Sequence, residues 1–231
     1  MFKHSVIVEK LLSNIKVISN PNNKPVTILG GSEELRCIGV GTDAAVFQYV
    51  NEPEYAYKLF AEDKKWKIPL EAKVYEELKG SPFFSICYLA TDSYLVLSYE
   101  SGKTLYDCIL DGTPIPAQVI DDVEAAISYA RERNLNPRDI HLKNIFLENG
   151  RAKLIDVSEY VNEGNDYRWE HLKKAYDEFY ELIKGKQVPQ MMLDWIQSEY
   201  NERQYDSMDQ FIGDLHSLKV LLKPQLNVQS T

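Results

Sequence analysis

The feature that most constrains this chain is the stretch from Asn136 to Ser158, in which Asn149-Gly150 separates two short apolar runs. The runs cover residues 145–147 and 152–155, and Asn-Gly between such runs is the strongest local signal for a β-hairpin. A turn there would pair residue 147 with 152, 145 with 154 and 144 with 155. We therefore expect Asn144 and Asp156 to meet at the open end of the hairpin.

This open end has the chemistry of a magnesium site. Mg2+ takes one or two protein oxygens and completes its octahedron with water and phosphate oxygens. Asp139, five residues before Asn144, adds a carboxylate that could orient a hydroxyl. An amide, a metal-binding carboxylate and a second carboxylate are the groups that phosphoryl transfer requires. An ordinary surface hairpin with polar ends would account for these residues alone equally well.

Composition and sequence pattern argue against several classes of protein. The chain has 231 residues, of which 44% are hydrophobic and 26% charged, as in soluble globular proteins. It has no run of 18 apolar residues and its first residues lack a secretory pattern, so we expect a cytoplasmic protein with no membrane partner. A net charge of −9 disfavours nucleic-acid binding. Three scattered cysteines, Cys37, Cys87 and Cys108, indicate neither a disulfide framework nor zinc.

The first hundred residues are rich in predicted strands. Residues 1–36 fit either short strands or a helix and a strand, and strands at 35–40, 44–50 and 55–60 form an antiparallel meander with loops at 41–43 and 51–54. A helix at 68–79 and strands at 86–89 and 94–99 follow. Leu70, Val74 and Leu78 share one face of that helix, and Glu71 at its edge is placed to turn inward, although an exposed glutamate is the alternative.

Two details of this region could serve a ligand. Gly39-x-Gly41 lies between strands with no helix after it, which argues against a dinucleotide fold and fits a flap over phosphates. A simple hairpin turn explains it as well. Lys58 has apolar neighbours in the third strand of the meander, but most such lysines are solvated.

The second part of the chain is mainly helical. Residues 100–104 read as a linker, and helices are predicted at 119–133, 167–184, 189–200 and 207–222. We expect Val119, Val123, Ala126, Ile127 and Ala130 to form one buried face. The aromatic and methionine residues of the later helices are expected in the core, and the tail from residue 223 is expected to fray.

Taken in order, these signals are similar to the motifs of one known family. The matching positions are Gly39-x-Gly41-x-x-Ala44-x-Val46, Lys58, Glu71, Arg138-Asp139-Ile140-His141-Leu142-Lys143-Asn144 and Asp156. Over residues 35–220 the chain resembles the protein kinase-like superfamily, and within it the small bacterial serine/threonine protein kinases of the eukaryotic type. The resemblance implies an α+β, two-lobe fold. Residues 1–97 would be an antiparallel β N-terminal lobe, 98–102 a hinge, and 103–231 a mainly helical catalytic lobe.

The resemblance also implies an ATP site. Its residues would be Gly39, Gly41, Ala44, Val46, Lys58, Glu71, Leu97, Ser98 and Glu100. The first three would lie over the phosphates and Val46 above the adenine, while Lys58, ion-paired with Glu71, would bind the α- and β-phosphates. Leu97 would border the adenine pocket, and the backbone of Ser98 and Glu100 would bind the base.

The catalytic positions follow from the same resemblance. Asp139 would orient or deprotonate the acceptor hydroxyl, and Asn144 and Asp156 would hold Mg2+. Lys143 would supply a charge to the γ-phosphate, or else be a solvated lysine. The function implied is ATP-dependent phosphotransfer by a serine/threonine protein kinase to a protein or small-molecule hydroxyl.

The chain also departs from the family pattern. Pro137 precedes Arg138, Val157-Ser158 follow Asp156, and Ala44 replaces the last glycine of the loop, but none of these changes removes an atom that the chemistry needs.

Two further departures leave other functions open. His141 makes Asp-x-His-x-x-Asn, which is closer to aminoglycoside and choline phosphotransferases. Only nine residues separate Asp156 from Asp166, so the activation segment is reduced. A small-molecule kinase and a non-catalytic ATP-binding pseudokinase are the alternatives. Asp166 either braces the catalytic loop or caps a helix.

Overall fold

The computed structural model describes residues 6–203 together with residues 210 and 213. The chain forms two compact units. Unit 1 contains the chain up to Ser101, residues Ala126–Pro137 and Ile155–Glu163, and unit 2 contains Gly102–Ala125, Arg138–Leu154 and the chain from Gly164 onward. Within the described residues, none of the helices combines the length and the apolar character needed to cross a membrane.

The described chain is α+β with antiparallel sheets. The helices are α1 (Val6–Ser13), α2 (Ile68–Glu77), α3 (Leu105–Asp111), α4 (Gln118–Arg131), α5 (Arg168–Ile183) and α6 (Gln190–Arg203), with 3-10 turns at Glu62–Lys67 and Ser158–Val161. The strands are β1 (Lys16–Ile18), β2 (Thr27–Leu29), β3 (Leu35–Val40), β4 (Ala44–Tyr49), β5 (Glu52–Phe60), β6 (Cys87–Ala90), β7 (Tyr94–Ser98), β8 (Lys103–Thr104), β9 (Ile145–Glu148) and β10 (Arg151–Leu154).

Unit 1 is built on a five-stranded antiparallel sheet in the order β3-β4-β5-β7-β6. The predicted meander is therefore confirmed. The β1-β2 pair and α1 precede it, and buried residues such as Val8, Leu12, Phe47 and Tyr57 join α1 and the sheet in one hydrophobic core. The first 36 residues thus contain a helix and two short strands.

The predicted loop at residues 51–54 is wrong, because β5 already begins at Glu52, which pairs with Tyr49. The ladder between β4 and β5 has an irregularity between Phe47 and Tyr49. Proline is tolerated at such irregularities, where the regular hydrogen bonding is interrupted. Pro53 can thus lie inside the strand, and its carbonyl accepts a hydrogen bond from the Gln48 side chain at 2.7 Å.

Helix α2 supplies a single inward-facing glutamate. The helix has proline in its first turn, where the missing N–H costs nothing. Glu71, Val74 and Leu78 are buried, whereas Leu70 is 40% exposed, contrary to the predicted stripe. The buried face is thus centred on Glu71 rather than bordered by it.

The predicted hairpin is present in unit 2 with the expected register. Leu147 pairs with Ala152 and Ile145 with Leu154. Asn149 (φ 51°) and Gly150 (φ 79°) both have the left-handed backbone that a tight type I′ turn requires. Asn144 therefore directly precedes β9.

The linker predicted at residues 100–104 is partly wrong. Lys103 and Thr104 form β8, which pairs with β9, so the small sheet has the order β10-β9-β8. A Cβ at Gly102 would lie 2.4 Å from the carbonyl oxygen of Leu147, so this close approach of backbones requires glycine. Thr104 then caps α3 by accepting a hydrogen bond from the Asp107 N–H at 3.0 Å.

The helices of the second half agree with their predicted positions but not with all the predicted cores. The five apolar residues of α4 are buried as expected. In α6, Trp195 is 44% exposed and Met191 is 83% exposed, so the expectation that they are core residues is wrong. The helix predicted at 207–222 and the tail after it fall outside the described residues, apart from Gln210 and Gly213, which are helical.

Candidate functional site

A row of predicted ligand-binding residues crosses one face of the sheet in unit 1. Gly39 pairs with Val46, and Val46 pairs with Lys58. Ala56, two residues before Lys58, pairs with Leu97. Side chains of directly paired residues, and of residues two apart along a strand, point to the same face. Val46, Lys58 and Leu97 therefore line one surface, with Gly39 at its edge.

The loop between β3 and β4 closes on itself. The N–H of Gly41 donates to the carbonyl of Ala44 at 2.9 Å, and the carbonyl of Gly41 accepts from the N–H of Val26 at 2.8 Å. Neither Gly39 nor Gly41 has a positive φ, and a Cβ on either would have no contact closer than 3.4 Å. The fold does not itself demand glycine at these two positions, and their place over the phosphates stays a prediction. The Gly41 N–H, however, is already engaged within the loop.

Lys58 and Glu71 form a buried ion pair that joins β5 to α2. The Lys58 Nζ lies 2.8 Å from both carboxylate oxygens of Glu71, and Glu71 is fully buried. Burial raises the pKa of Glu71 to about 7, against the lowering effect of Lys58. Burial also opposes the charge on Lys58, but Asp156 and Glu71 outweigh it and raise the pKa of the lysine. The lysine therefore keeps its charge at neutral pH.

Asp156 approaches the same lysine from the segment after the hairpin. Its Oδ1 lies 3.0 Å from the Lys58 Nζ and accepts a hydrogen bond from the Ser158 hydroxyl at 2.9 Å. The Asp156 side chain is 40% exposed, unlike that of Glu71. Unit 1 thus brings together one ammonium and two carboxylates. The carboxylate of Glu71 is buried, and that of Asp156 is partly exposed.

A second polar cluster, around Asp139, lies in unit 2. The backbone N–H of Asp139 donates to Oδ2 of Asp166 at 2.7 Å, so Asp166 braces this loop. Asp166 also accepts from the N–H of Arg168 at 3.2 Å. The hydrogen bond expected of a brace is therefore present, whereas the helix-cap alternative is wrong, because Tyr167 is the N-cap of α5 and no side chain caps the helix there.

The side chain of Asp139 lies beside an arginine and a histidine. The Arg168 Nη1 contacts its Oδ1, and the His141 Nε2 lies 3.8 Å from the same oxygen. Asp139 (φ 57°) and Asp156 (φ 55°) both have left-handed backbones, an unusual conformation for residues other than glycine. Such strain is frequent at functional sites, where the surrounding contacts maintain it.

Asn144 is oriented by the same loop. Its Nδ2 donates to the backbone carbonyl of Asp139 at 3.1 Å. Because the amide nitrogen is used in this way, the side-chain oxygen is turned away from that carbonyl and can act as an acceptor or a metal ligand. Lys143 is exposed, and its Nζ lies 4.5 Å from the centre of the Tyr106 ring.

The segment after β7 is fixed by local hydrogen bonds. The Ser98 N–H donates to the carbonyl of Ile86 at 2.8 Å, and the Ser98 hydroxyl donates to Glu100 at 2.5 Å. The hydroxyl also accepts from the N–H of Ile86 at 2.9 Å. The N–H of Ser98 is thus occupied by the carbonyl of Ile86.

Sequence reasoning missed Arg168. An arginine in the first turn of a helix is expected to be solvated. Only its position two residues after Asp166 indicates another role. The structure places its guanidinium on the Asp139 carboxylate. Its contact with the proposed base makes it part of the site in unit 2.

Within the described residues, no group of three or more His, Cys, Asp or Glu side chains is arranged to hold a metal ion by itself. This excludes a closed protein cage of such ligands in that part of the chain. It leaves open a magnesium site of the other kind, with two protein oxygens and the rest of the shell from water and phosphate.

Comparisons with known proteins agree on one class. No family model matches the chain. A protein of Bacillus subtilis (strain 168) named "Putative serine/threonine-protein kinase YrzF" is 35% identical over 199 residues, which are 81% of this chain and 93% of that protein. A Dictyostelium discoideum protein named "Probable serine/threonine-protein kinase fnkB" is 28% identical over 160 residues, 65% of this chain but only 26% of that protein.

Proposed function

Because the chain belongs to the protein kinase-like family, as its extended similarity to the Bacillus protein shows, we propose that it transfers the γ-phosphate of Mg-ATP to a hydroxyl as a serine/threonine protein kinase. The observation that carries this proposal is the contact of Lys58 with both Glu71 and Asp156. A lysine that is buried, charged and aimed at a half-exposed carboxylate is placed to bind phosphate oxygens near a metal ion.

In this proposal the sheet of unit 1 binds the nucleotide. Lys58 binds the α- and β-phosphates, and Glu71 fixes the lysine so that little side-chain entropy is lost on binding. Val46 and Leu97 contact the adenine, since they share the face of Lys58. Gly39, Gly41 and Ala44 form the loop over the phosphates, and the carbonyl of Ser98 and the backbone of Glu100 bind the base.

Asn144 and Asp156 would hold Mg2+. Their groups fit that ion, because an amide oxygen and a carboxylate are hard ligands and few protein ligands are needed. The bond from Asn144 Nδ2 to the Asp139 carbonyl supports this role, since it leaves the amide oxygen as the ligand. When bound, Mg2+ would neutralise charge on the phosphates and hold them in position.

Asp139 is the proposed base. The acceptor hydroxyl oxygen bonds to the γ-phosphorus while the bond from that phosphorus to the β-γ bridging oxygen breaks, which leaves ADP and a phosphoester. The hydroxyl proton passes to the Asp139 carboxylate. Asp166 holds the backbone of Asp139, and Lys143 or Arg168 supplies positive charge near the transferred group.

The finer architecture is part of the same proposal. We assign residues 1–97 to a nucleotide-binding lobe, 98–102 to a hinge and 103–231 to a catalytic lobe. The nine residues between Asp156 and Asp166 replace a long activation segment. Activity would then not depend on phosphorylation of that segment.

A small-molecule kinase is the second candidate. His141, two residues after Asp139, and the short segment before Asp166 favour it. Incubation with radiolabelled Mg-ATP and either protein or small-alcohol acceptors separates the two functions. Phosphoserine or phosphothreonine in proteins supports the first, and label only in small alcohols supports the second. Equal ATP consumption by the wild type and Asp139→Asn would point to an ATP-binding protein without turnover.

A further inference from the structure

Unit 2 contains a cavity whose apolar side none of the proposed catalytic steps uses. It has a volume of about 230 Å³ and lies among α3, residues 141–143, α5 and α6. Its apolar side is formed by Leu142, Leu172, Leu193 and Ile196. Sites that enclose a whole small-molecule ligand usually measure about 300–1,000 Å³. This cavity therefore fits part of a larger substrate better than a complete ligand.

The polar side of the cavity contains two basic side chains. Lys143 and Arg168 line it, and no aspartate or glutamate is among the described residues that do so. Lys143 has no ion pair with any carboxylate in the described part of the chain, and it rests on the ring of Tyr106. Burial lowers the pKa of His171, another lining residue, so this histidine adds no charge at neutral pH. Because Arg168 is paired with Asp139, the positive charge left for an occupant is that of Lys143, which favours an anionic group.

The cavity adjoins the proposed base. Arg168 lines it and also contacts the carboxylate of Asp139, and His141 lines it within 3.8 Å of the same carboxylate. A group bound in the cavity is therefore about one side chain away from the acceptor hydroxyl. An extended polypeptide advances about 3.3 Å per residue, so the bound group would lie within roughly three residues of the acceptor.

We propose that this cavity binds an acidic side chain of a protein substrate, close in sequence to the phosphorylated serine or threonine, with an apolar neighbour against the leucines. The inference rests on the proposed function and adds a substrate class to it. Lys143 is the main specificity residue, because Arg168 shares its charge with Asp139. An acidic substrate would be attracted to this lysine, and a basic substrate would be repelled by it.

The test measures phosphorylation of three matched peptides, which differ only in carrying Glu, Gln or Lys beside one serine. We expect the wild type to prefer the Glu peptide to the Lys peptide by about tenfold or more. Lys143→Glu should reverse the preference, and Lys143→Arg should preserve it. Lys184→Glu makes the same charge change at an exposed position that pairs with Glu181 and does not line the cavity, and should leave the preference unaltered.

The ratio of rates is the readout, because a purely structural or catalytic effect of Lys143 would slow all three peptides equally. Equal use of the three peptides by the wild type, or an unchanged ratio in Lys143→Glu, would overturn the acidic-substrate proposal alone. Label that reaches small anionic alcohols but no peptide would also overturn it, together with the protein kinase function.

Discussion

The Nζ of Lys58 lies 3.0 Å from Oδ1 of Asp156, although 98 positions separate the two residues in the chain. Lys58 lies in the middle of a sheet, and Asp156 lies in the segment after a hairpin. Because Glu71 binds the same ammonium from a helix, three distant parts of the sequence meet at one charge. This convergence connects the scattered motifs of the sequence to one proposed phosphate site.

The buried pair gives a first prediction, about stability. Lys58→Met should lower the free energy of unfolding by roughly 3–5 kcal/mol at pH 8, because it leaves Glu71 buried without its partner. The loss should be smaller at pH 6. Glu71 already has a raised pKa, so its folded form binds more protons than its unfolded form, and stability then falls as pH rises. Urea unfolding at several pH values measures this.

The double variant Lys58→Met/Glu71→Gln is the control for this prediction. It should recover much of the lost stability and lose the added pH dependence, because no buried unpaired charge remains and Asp156 is partly exposed, but it should not recover phosphotransfer. A pH dependence that persists in the double variant would mean that Glu71 is not its source.

The brace on the catalytic loop gives a second prediction. Asp166→Ala removes the acceptor for the Asp139 N–H, and the base then loses its fixed position. We expect kcat to fall by about 100-fold, the order of magnitude for a displaced catalytic group, with little change in KM for ATP. Steady-state kinetics measures both constants. Asp166→Asn keeps an oxygen acceptor and should lose less; a similar loss in both variants would argue against the brace.

The third prediction concerns Asp122, a buried carboxylate on α4. It accepts hydrogen bonds from Arg151 at 2.7 and 2.8 Å and from the N–H of Ala152 at 2.9 Å. Asp122→Ala should therefore cost about 1–3 kcal/mol, since the buried N–H of Ala152 would lose its partner. Thermal or urea unfolding of the variant measures the cost.

The pH dependence of the same carboxylate tests its ion pair. The hydrogen bonds from Arg151 lower the pKa of Asp122 below its usual value of 3.8, against the opposing effect of burial. A carboxylate with a lowered pKa stabilises the fold above its unfolded pKa, and this contribution is lost as pH falls through the folded pKa. The stability difference between the wild type and Asp122→Asn should shrink below about pH 4. A constant difference would contradict the assignment.

Local signals in the sequence were enough for much of the fold. Asn149-Gly150 predicted the turn and the register of the β9-β10 hairpin, because a two-residue turn fixes which residues pair. The apolar spacing of α4 predicted its buried face for a similar reason, since the helical period decides which side chains share a side.

Features that depend on distant partners were not predictable in this way. β8 has only two residues and exists because β9 lies beside it. Trp195 is an aromatic residue of the kind expected in a core, but whether its side chain is buried depends on what packs against α6. Arg168 could not be identified from its neighbours, because its partner Asp139 lies 29 positions away.

The residues of the candidate site were predicted from the resemblance rather than from local signals. The resemblance named Lys58, Glu71 and Asp156, and the structure brings these three together in unit 1. The resemblance also named Asp139 and Asn144, which share one loop in unit 2. Their roles toward ATP, Mg2+ and a hydroxyl remain predictions.

The most direct test of the central claim compares Asp139→Asn with Asp156→Asn for two properties, nucleotide binding with and without Mg2+ and transfer of the γ-phosphate. We predict that Asp139→Asn binds Mg-ATP like the wild type but transfers phosphate about 100-fold or more slowly, because the base is lost. Asp156→Asn should lose the magnesium-dependent part of nucleotide binding. Normal Mg-ATP binding by Asp156→Asn, together with undiminished transfer by Asp139→Asn, would contradict the account.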